Sequence, residues 1–235
     1  MAFELTKKPK GAKLIEGFPG FGLVGSIASE YLLSHLDCEF IGKLHLEKLQ
    51  PTVVIHEGKL VHPIGLYYNK KYNLLILHAI TAGMGVEWKI AEELNTLGKE
   101  LDIKEFISIE GVGSNSPEEE EPRTFFYTNN EKNKKTLEQS LPELKEGIVM
   151  GVTAALLTKT TIPVTAFFAD TKSNLPDSKA AAKVIEILDK HLGLKIDTKP
   201  LLETAEKFEE KLKGMMQQTE TAQQEVKDKS MSYVG

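Results

Sequence analysis

Cysteine is almost missing from this chain: Cys38 stands alone in 235 residues. No internal disulfide can form, and no multi-cysteine metal site can be built. The same scarcity fits a reducing cytoplasm, the expected location. Long apolar runs are missing too. None approaches the roughly 18 residues that mark a membrane-spanning helix. The opening Met-Ala-Phe-Glu-Leu-Thr-Lys-Lys lacks the apolar core of a signal peptide. A concentrated basic face is also lacking: net charge is −5, with acids and bases spread along the chain. Nucleic acid is therefore not an expected partner, because phosphate binding needs clustered cations.

The usual catalytic signatures are absent as well. There is no H-E-x-x-H and no G-x-S-x-G. Cys38 follows an amphipathic stretch with no base beside it, so a structural thiol is expected, not a nucleophile. His56-Glu57 and His62 lie close around a turn. They could form an acid–base pair if folded together, or satisfy strand ends, the reading preferred here. The acid of most interest is Glu16, which would accept a backbone N–H from the loop beside it or face a pocket; Asp170 is next. The expectation is no catalytic residue, no cofactor and no metal.

What is present is a glycine-rich run, Leu14-Ile15-Glu16-Gly17-Phe18-Pro19-Gly20-Phe21-Gly22-Leu23-Val24-Gly25-Ser26-Ile27-Ala28. Leu14-Ile15 reads as a strand end, and the glycines and proline force a turn. Leu23, Ile27, Tyr31 and Leu32 then follow at helical spacing. Strand, glycine loop and helix open an α/β domain. Gly20 to Gly25 matches G-x-G-x-x-G, but Glu39, at the spacing of a ribose-binding acid, begins the next strand instead of ending it. Gly17 to Gly22 has P-loop spacing, yet Leu23-Val24 stands where Lys-Ser/Thr belongs. Tight strand-to-helix packing is the plainer reading.

Further along, Phe40–Leu46 alternates as a strand and Val53–His56 is a short one. Pro63–Tyr68 and Tyr72–Ala79 flank a turn as a hairpin, with Leu74–Leu77 central and covered on both faces. A second glycine loop, Thr81–Gly85, precedes a helix from Val86 to Leu101, with Trp88, Ala91, Leu94, Leu97 and Leu101 near helical spacing. Phe106–Ile109 is a strand ending in a third glycine loop, Gly111–Ser114. Ser116–Pro122, with four adjacent acids, reads as a solvated loop; metal binding there is a weak alternative. Phe125–Tyr127 is a strand, Lys132–Leu141 a helix, Ile148–Leu157 an apolar segment and Pro163–Ala169 a strand. Asp177 then starts a helix that Gly193 ends.

Beyond Lys195 a heptad stripe runs through Leu201, Ala205, Phe208, Leu212, Met215, Thr219, Ala222 and Val226. Such a helix either packs on the domain or serves self-association or a partner. The end, Ser232-Tyr233-Val234-Gly235, reads as a free tail with an aromatic residue near the carboxylate. The expected layout is a core over 1–196, an amphipathic helix over 197–227 and a tail over 228–235.

The run Glu16–Ala28 resembles the opening signature of the proteasome assembly chaperone family. Gly111-Val-Gly113, Gly147–Leu157, Pro176–Ala182 and Leu192–Thr198 support the resemblance by order and spacing, from about Gly11 to about Lys213. It implies an α/β fold, a mixed sheet sandwiched by helices and similar to purine nucleoside phosphorylase without its catalytic equipment, with a C-terminal helical extension. It implies a non-enzymatic homo-oligomer that assists assembly of the 20S proteasome by binding its α-subunits or α-ring. Family docking uses a C-terminal hydrophobic-Tyr-any motif. Here Tyr233 is third from last instead of second. Either the pocket accepts the shift, with Met231 or Val234 supplying the apolar contact and Gly235 the carboxylate, or the protein binds differently. Two alternatives are an adaptor or activator of the mature proteasome, and a nucleoside- or nucleotide-binding hydrolase or transferase built on the glycine loops.

Overall fold

The computed structural model describes residues 2–49, 51–56, 58–81, 84–113, 121–171 and 175–203. Side-chain alternation decides its layout. In the strand Lys13–Gly17, Leu14 and Ile15 are both fully buried. Successive side chains point to opposite faces, so this strand must be covered on both sides. The same holds for Leu74–Ala79 and Val164–Thr171, which are buried at every position.

In chain order the strands are β1 (Phe3–Leu5), β2 (Lys13–Gly17), β3 (Glu39–Leu44), β4 (Val54–His56), β5 (Lys59–Val61), β6 (Ile64–Asn69), β7 (Leu74–Ala79), β8 (Glu105–Gly113), β9 (Thr124–Thr128) and β10 (Val164–Thr171). The helices are α1 (Val24–His35), α2 (Glu87–Leu101), α3 (Glu131–Leu137), α4 (Gly151–Lys159), α5 (Ser178–Leu192) and α6 (Lys199–Glu203). Eight strands form one sheet in the order β1-β3-β6-β7-β2-β8-β10-β9; β4 and β5 pair apart from it. The four central strands β7, β2, β8 and β10 are parallel, and the flanking pairs are antiparallel. This is a mixed α/β architecture with helices on both faces. One face packs Ile15, Ile107, Ile109 and Phe167 under α1 and α5. The other packs Leu14, Leu77 and Phe106 under α2 and α4.

The glycine run works as tight packing. A Cβ on Gly17 would stand 2.2 Å from the carbonyl oxygen of Gly25, so the end of β2 and the first turn of α1 meet with no side chain between them. Gly22 sits at φ 61°, in the left-handed region, and a Cβ there would stand 2.7 Å from Thr171 Oγ1. Later boundaries follow their caps. Asp177 accepts a hydrogen bond from the Ala180 N–H at 2.9 Å, and Gly193 closes α5 at φ 66°.

Several expectations need correction. Gly111, Val112 and Gly113 are not a loop: they extend β8 and pair in register with Ala169, Asp170 and Thr171. Trp88 does not join the apolar face of α2. It is 53% exposed with the Lys159 ammonium 5.1 Å from its ring, and Ile90 takes the buried position. The short strand expected at Val53–His56 is present as Val54–His56, paired with Lys59–Val61 in a separate hairpin. Of the heptad stripe, Leu201 is described: it is fully buried in the core beneath α5. Ala205, Phe208, Leu212, Met215 and the terminal Met231, Tyr233, Val234 and Gly235 lie outside the described residues.

Replacing Gly22 by valine combines an unfavourable backbone angle with a steric clash, each a recognised route to substantial destabilisation. The expected loss is on the order of 2–3 kcal/mol, read as a melting temperature lower by roughly 5–10 °C. An unchanged melting temperature would refute the packing role.

Candidate functional site

The parallel strands end together, and the segments leaving them surround a pocket of about 500 Å³. Phe18–Phe21 come from the end of β2, Met84 and Glu87 from the start of α2, Glu110–Val112 from β8, and Ile148–Val152 from the start of α4. Crevices at the C-terminal ends of parallel strands are where open α/β sheets bind ligands. Met84 and Ile148 are 84% and 86% exposed at the rim, so the opening carries apolar side chains into solvent.

Beneath the pocket lies an unusual polar group. Glu16 and Ser108 are register partners on β2 and β8, both fully buried, and Glu110 is two residues further along β8 on the same face. Thr153, in the first turn of α4, places its hydroxyl 3.0 Å from Glu16 Oε1 and 2.8 Å from Glu110 Oε1. A threonine hydroxyl has one hydrogen to donate. If it donates to one carboxyl, the other contact is satisfied only when that carboxyl is protonated and donates to the hydroxyl. The geometry therefore calls for one proton shared between two acids. Their environment agrees. Burial pushes Glu16 up to about 7. Burial, then the charge of Glu16, push Glu110 up to about 8. Ser108 lies beside Glu16 and eases its ionisation, yet Ser108 Oγ and Glu16 Oε2 are both buried without a hydrogen-bond partner. On the pocket side, a Cβ on Gly20 would stand 2.8 Å from Glu110 Oε2. The glycine leaves the carboxyl its space.

The expected interest in Glu16 thus finds a pocket, reached through Thr153 and Glu110. The partner, Glu110, was not legible: it follows Ile109 in a strand whose local pattern says nothing of depth. Asp170 serves elsewhere, accepting from the Arg123 backbone N–H and from Arg123 Nε at 2.7 Å, and so fastens the approach to β9. His62 stacks on Phe40, with ring centroids 5.4 Å apart. Glu57, the acid of the His56–Glu57 pair, lies outside the described residues. Burial pushes the Cys38 thiol up to about 11, a hydrogen bond from Asn69 opposing the shift and the nearby Asp37 carboxylate adding to it, so little thiolate is present at neutral pH.

A second group imitates an active site. Ser29 Oγ lies 2.8 Å from His78 Nδ1, and His78 Nε2 lies 3.2 Å from Glu30 Oε2. This is the connectivity of a serine–histidine–acid triad. Ser29, however, is fully buried, and its hydroxyl donates to the Ser26 carbonyl at 3.1 Å. With that hydrogen committed, His78 Nδ1 is the donor to Ser29, and no substrate carbonyl can approach the oxygen. The serine end of the group is sealed in the core. Among the described residues, no cluster of three or more His, Cys, Asp or Glu is placed to hold a metal ion. No described helix is long and apolar enough to cross a membrane.

Against known proteins, the model of the PAC2 family matches residues 14–216. Among solved structures, Pyrococcus furiosus PbaA, an archaeal homologue of proteasome-assembly chaperone, is 31% identical with a TM-score of 0.84. The match covers 94% of this chain and 99% of that one. P. furiosus PbaB, an archaeal proteasome activator, has a TM-score of 0.75 at 23% identity over 91% and 98% of the two chains, a likeness of fold. An uncharacterised protein of Methanocaldococcus jannaschii is 28% identical over 208 residues, 87% of this chain and 85% of that protein.

The buried acid gives stability a definite pH dependence. Glu16 stands near 7 in the fold against an ordinary 4.5, so between those values the folded chain holds a proton that the unfolded chain releases. That stabilisation is full below about pH 4.5 and is lost as pH rises through 7. Glu16→Gln removes it. Relative to the parent, the variant should gain stability from pH 5 to pH 8.5, by up to roughly 3 kcal/mol. Thermal melts across that range check it, and a difference independent of pH would rule out a buried, protonated Glu16.

Proposed function

The chain belongs to the PAC2 family, and we propose that it is a non-enzymatic chaperone that assists assembly of the 20S proteasome by binding its α-subunits or α-ring. The observation that carries this reading is the likeness to PbaA, which spans nearly the full length of both chains. The proposal keeps the architecture implied by the family resemblance, a core akin to purine nucleoside phosphorylase stripped of its catalytic residues. The closed Ser29–His78–Glu30 network and the unreactive Cys38 support the non-enzymatic part.

In this reading the core over 1–196 is a scaffold in the cytoplasm, assembled as a homo-oligomer. The segment 197–227 continues as an amphipathic helix whose stripe, Leu201, Ala205, Phe208, Leu212 and Met215, meets the core at its start and other copies or the partner further on. The last residues, 228–235, act as the docking element. Tyr233 supplies an aromatic anchor, Met231 and Val234 apolar contact, and Gly235 a free carboxylate. One such tail binds weakly; several on a ring gain avidity when they dock together. Assembly is preferred to activation of the mature proteasome because the likeness to PbaB is one of fold.

Native mass spectrometry of the protein alone and mixed with 20S α-subunits tests the reading. The expected result is a discrete homo-oligomer that joins an α-subunit ring or assembly intermediate. An oligomer that ignores every proteasome subunit would overturn it. Deleting residues 232–235 should weaken that binding about tenfold or more while leaving the melting temperature of the domain unchanged. Unaltered affinity would remove the tail from the mechanism.

A further inference from the structure

The pocket above Glu110 is not used by the chaperone reading, and its chemistry is selective. Among the described residues of its lining, Glu87 and Glu110 are the ionisable side chains, and none is lysine, arginine or histidine. The rest of the wall is apolar side chain and glycine backbone. About 500 Å³ lies within the range of small-molecule sites, roughly 300–1,000 Å³. We propose that this pocket binds a small organic cation, an ammonium or amidinium head on an apolar stem, with the head at Glu110 Oε2 and the stem between Phe21, Val112 and Met150.

Three observations carry the assignment. The first is the charge stored at the floor. Thr153, with one hydrogen between Glu16 and Glu110, fits a pair that shares a single proton and bears one negative charge. A monocation neutralises that charge. A neutral ligand leaves it uncompensated in an apolar recess, where an unpaired charge is most costly. The second is access. Glu110 lines the pocket while Glu16 lies wholly buried behind Thr153. Glu110 is therefore the group a ligand meets, and Glu16 is the reserve that holds the proton when Glu110 pairs. The third is the rim. Phe21, Met84, Ile148 and Met150 are exposed large apolar side chains gathered at one opening, and a stem leaving the pocket would cover them.

The competing occupant is an anion, because the first turn of α4 also borders the pocket. It would have to approach two carboxyl groups with no basic side chain among the described residues of the lining. A nucleotide phosphate meets the same obstacle, so the resemblance of Gly20–Gly25 to a dinucleotide loop is not a guide to this ligand.

The test is isothermal titration of the full-length protein with matched probes at neutral pH. Tryptamine and benzamidine carry the cation on an apolar body; indole-3-acetate carries the opposite charge on the same ring as tryptamine. Saturable binding of at least one cation is expected, with indole-3-acetate at least tenfold weaker than tryptamine. Glu110→Gln should weaken cation binding at least tenfold. The comparison of the two indole probes needs no variant, so it stands even if that substitution impairs folding. Equal binding of both indoles, no saturable binding of either cation, or a folded Glu110→Gln protein with unchanged affinity would each overturn the proposal. So would a lysine-bearing peptide that binds through Glu110 where both free cations fail, since the pocket would then be a protein docking point. None of these outcomes depends on whether the chain engages proteasome subunits.

Discussion

No side chain fits between the end of β2 and the first turn of α1, and much of the structure depends on that contact. Gly17 and Gly25 let backbone approach backbone, which sets α1 close over the sheet. Tyr31 and Leu32 are then carried into the core with Ile107 and Phe167. Close packing leaves little tolerance: a single added methyl group here meets a carbonyl oxygen instead of a yielding side chain. The same approach turns the chain through Phe18–Phe21, and that turn forms one wall of the pocket. A stretch that reads as a phosphate cradle is thus an architectural joint, and its by-product is a recess with glycine on one side and carboxyl on the other.

The sheet holds buried acids in two contrasting ways. Glu105, at the start of β8, also suffers burial, which alone would raise it. Contacts to His191, Lys13 and Thr165 more than offset that, and hold it at about 2. Lys13 Nζ lies 2.7 Å from its Oε2, and Thr165 and Asn133 each donate to Oε1 at 2.6 Å. Its contribution to stability is present above about pH 4.5 and fades as pH falls toward 2. Glu16 and Glu110, on the opposite face of the sheet from Glu105 and nearer the strand ends, have no cation among the described residues of the pocket lining and share a hydroxyl. They remain partly protonated at neutral pH. One buried carboxylate is fully answered within the fold, which makes it structural. The other pair is left with a charge and an opening.

Local pattern carried the secondary structure well wherever burial is two-sided or caps are explicit. Leu74–Leu77 announces a central strand because no face of it tolerates water. Asp177 and Gly193 bracket α5 because an N-cap oxygen and a left-handed C-cap each need a particular residue type. The failures have physical reasons too. Gly111 and Gly113 suggested a loop, yet parallel pairing with β10 supplies the hydrogen bonds that keep them in strand. Trp88 fits a helical stripe by spacing, but it lies at one end of α2 where the core no longer faces it, and a lysine covers its ring instead. Glu16 could be singled out as an acid beside a turn. Its partners could not, because Glu110 and Thr153 lie 94 and 137 residues away and meet it through sheet register and the placement of α4.

Those long separations bear on what kind of site this is. A hydrolytic centre needs a nucleophile exposed to substrate and a base free to take its proton. Ser29 is buried and His78 donates to it, so neither condition is met there, and the half-buried Cys38 has its thiol raised to about 11. The Glu16–Thr153–Glu110 group is exposed at one end and buried at the other, but Thr153 itself is fully buried and no described cation or metal cluster stands by to activate it. What such a group can do is accept a cation and hold a proton behind it. Recognition of a cation at the pocket, as proposed, is compatible with the proposed docking through the C-terminal segment, because the two use different parts of the chain.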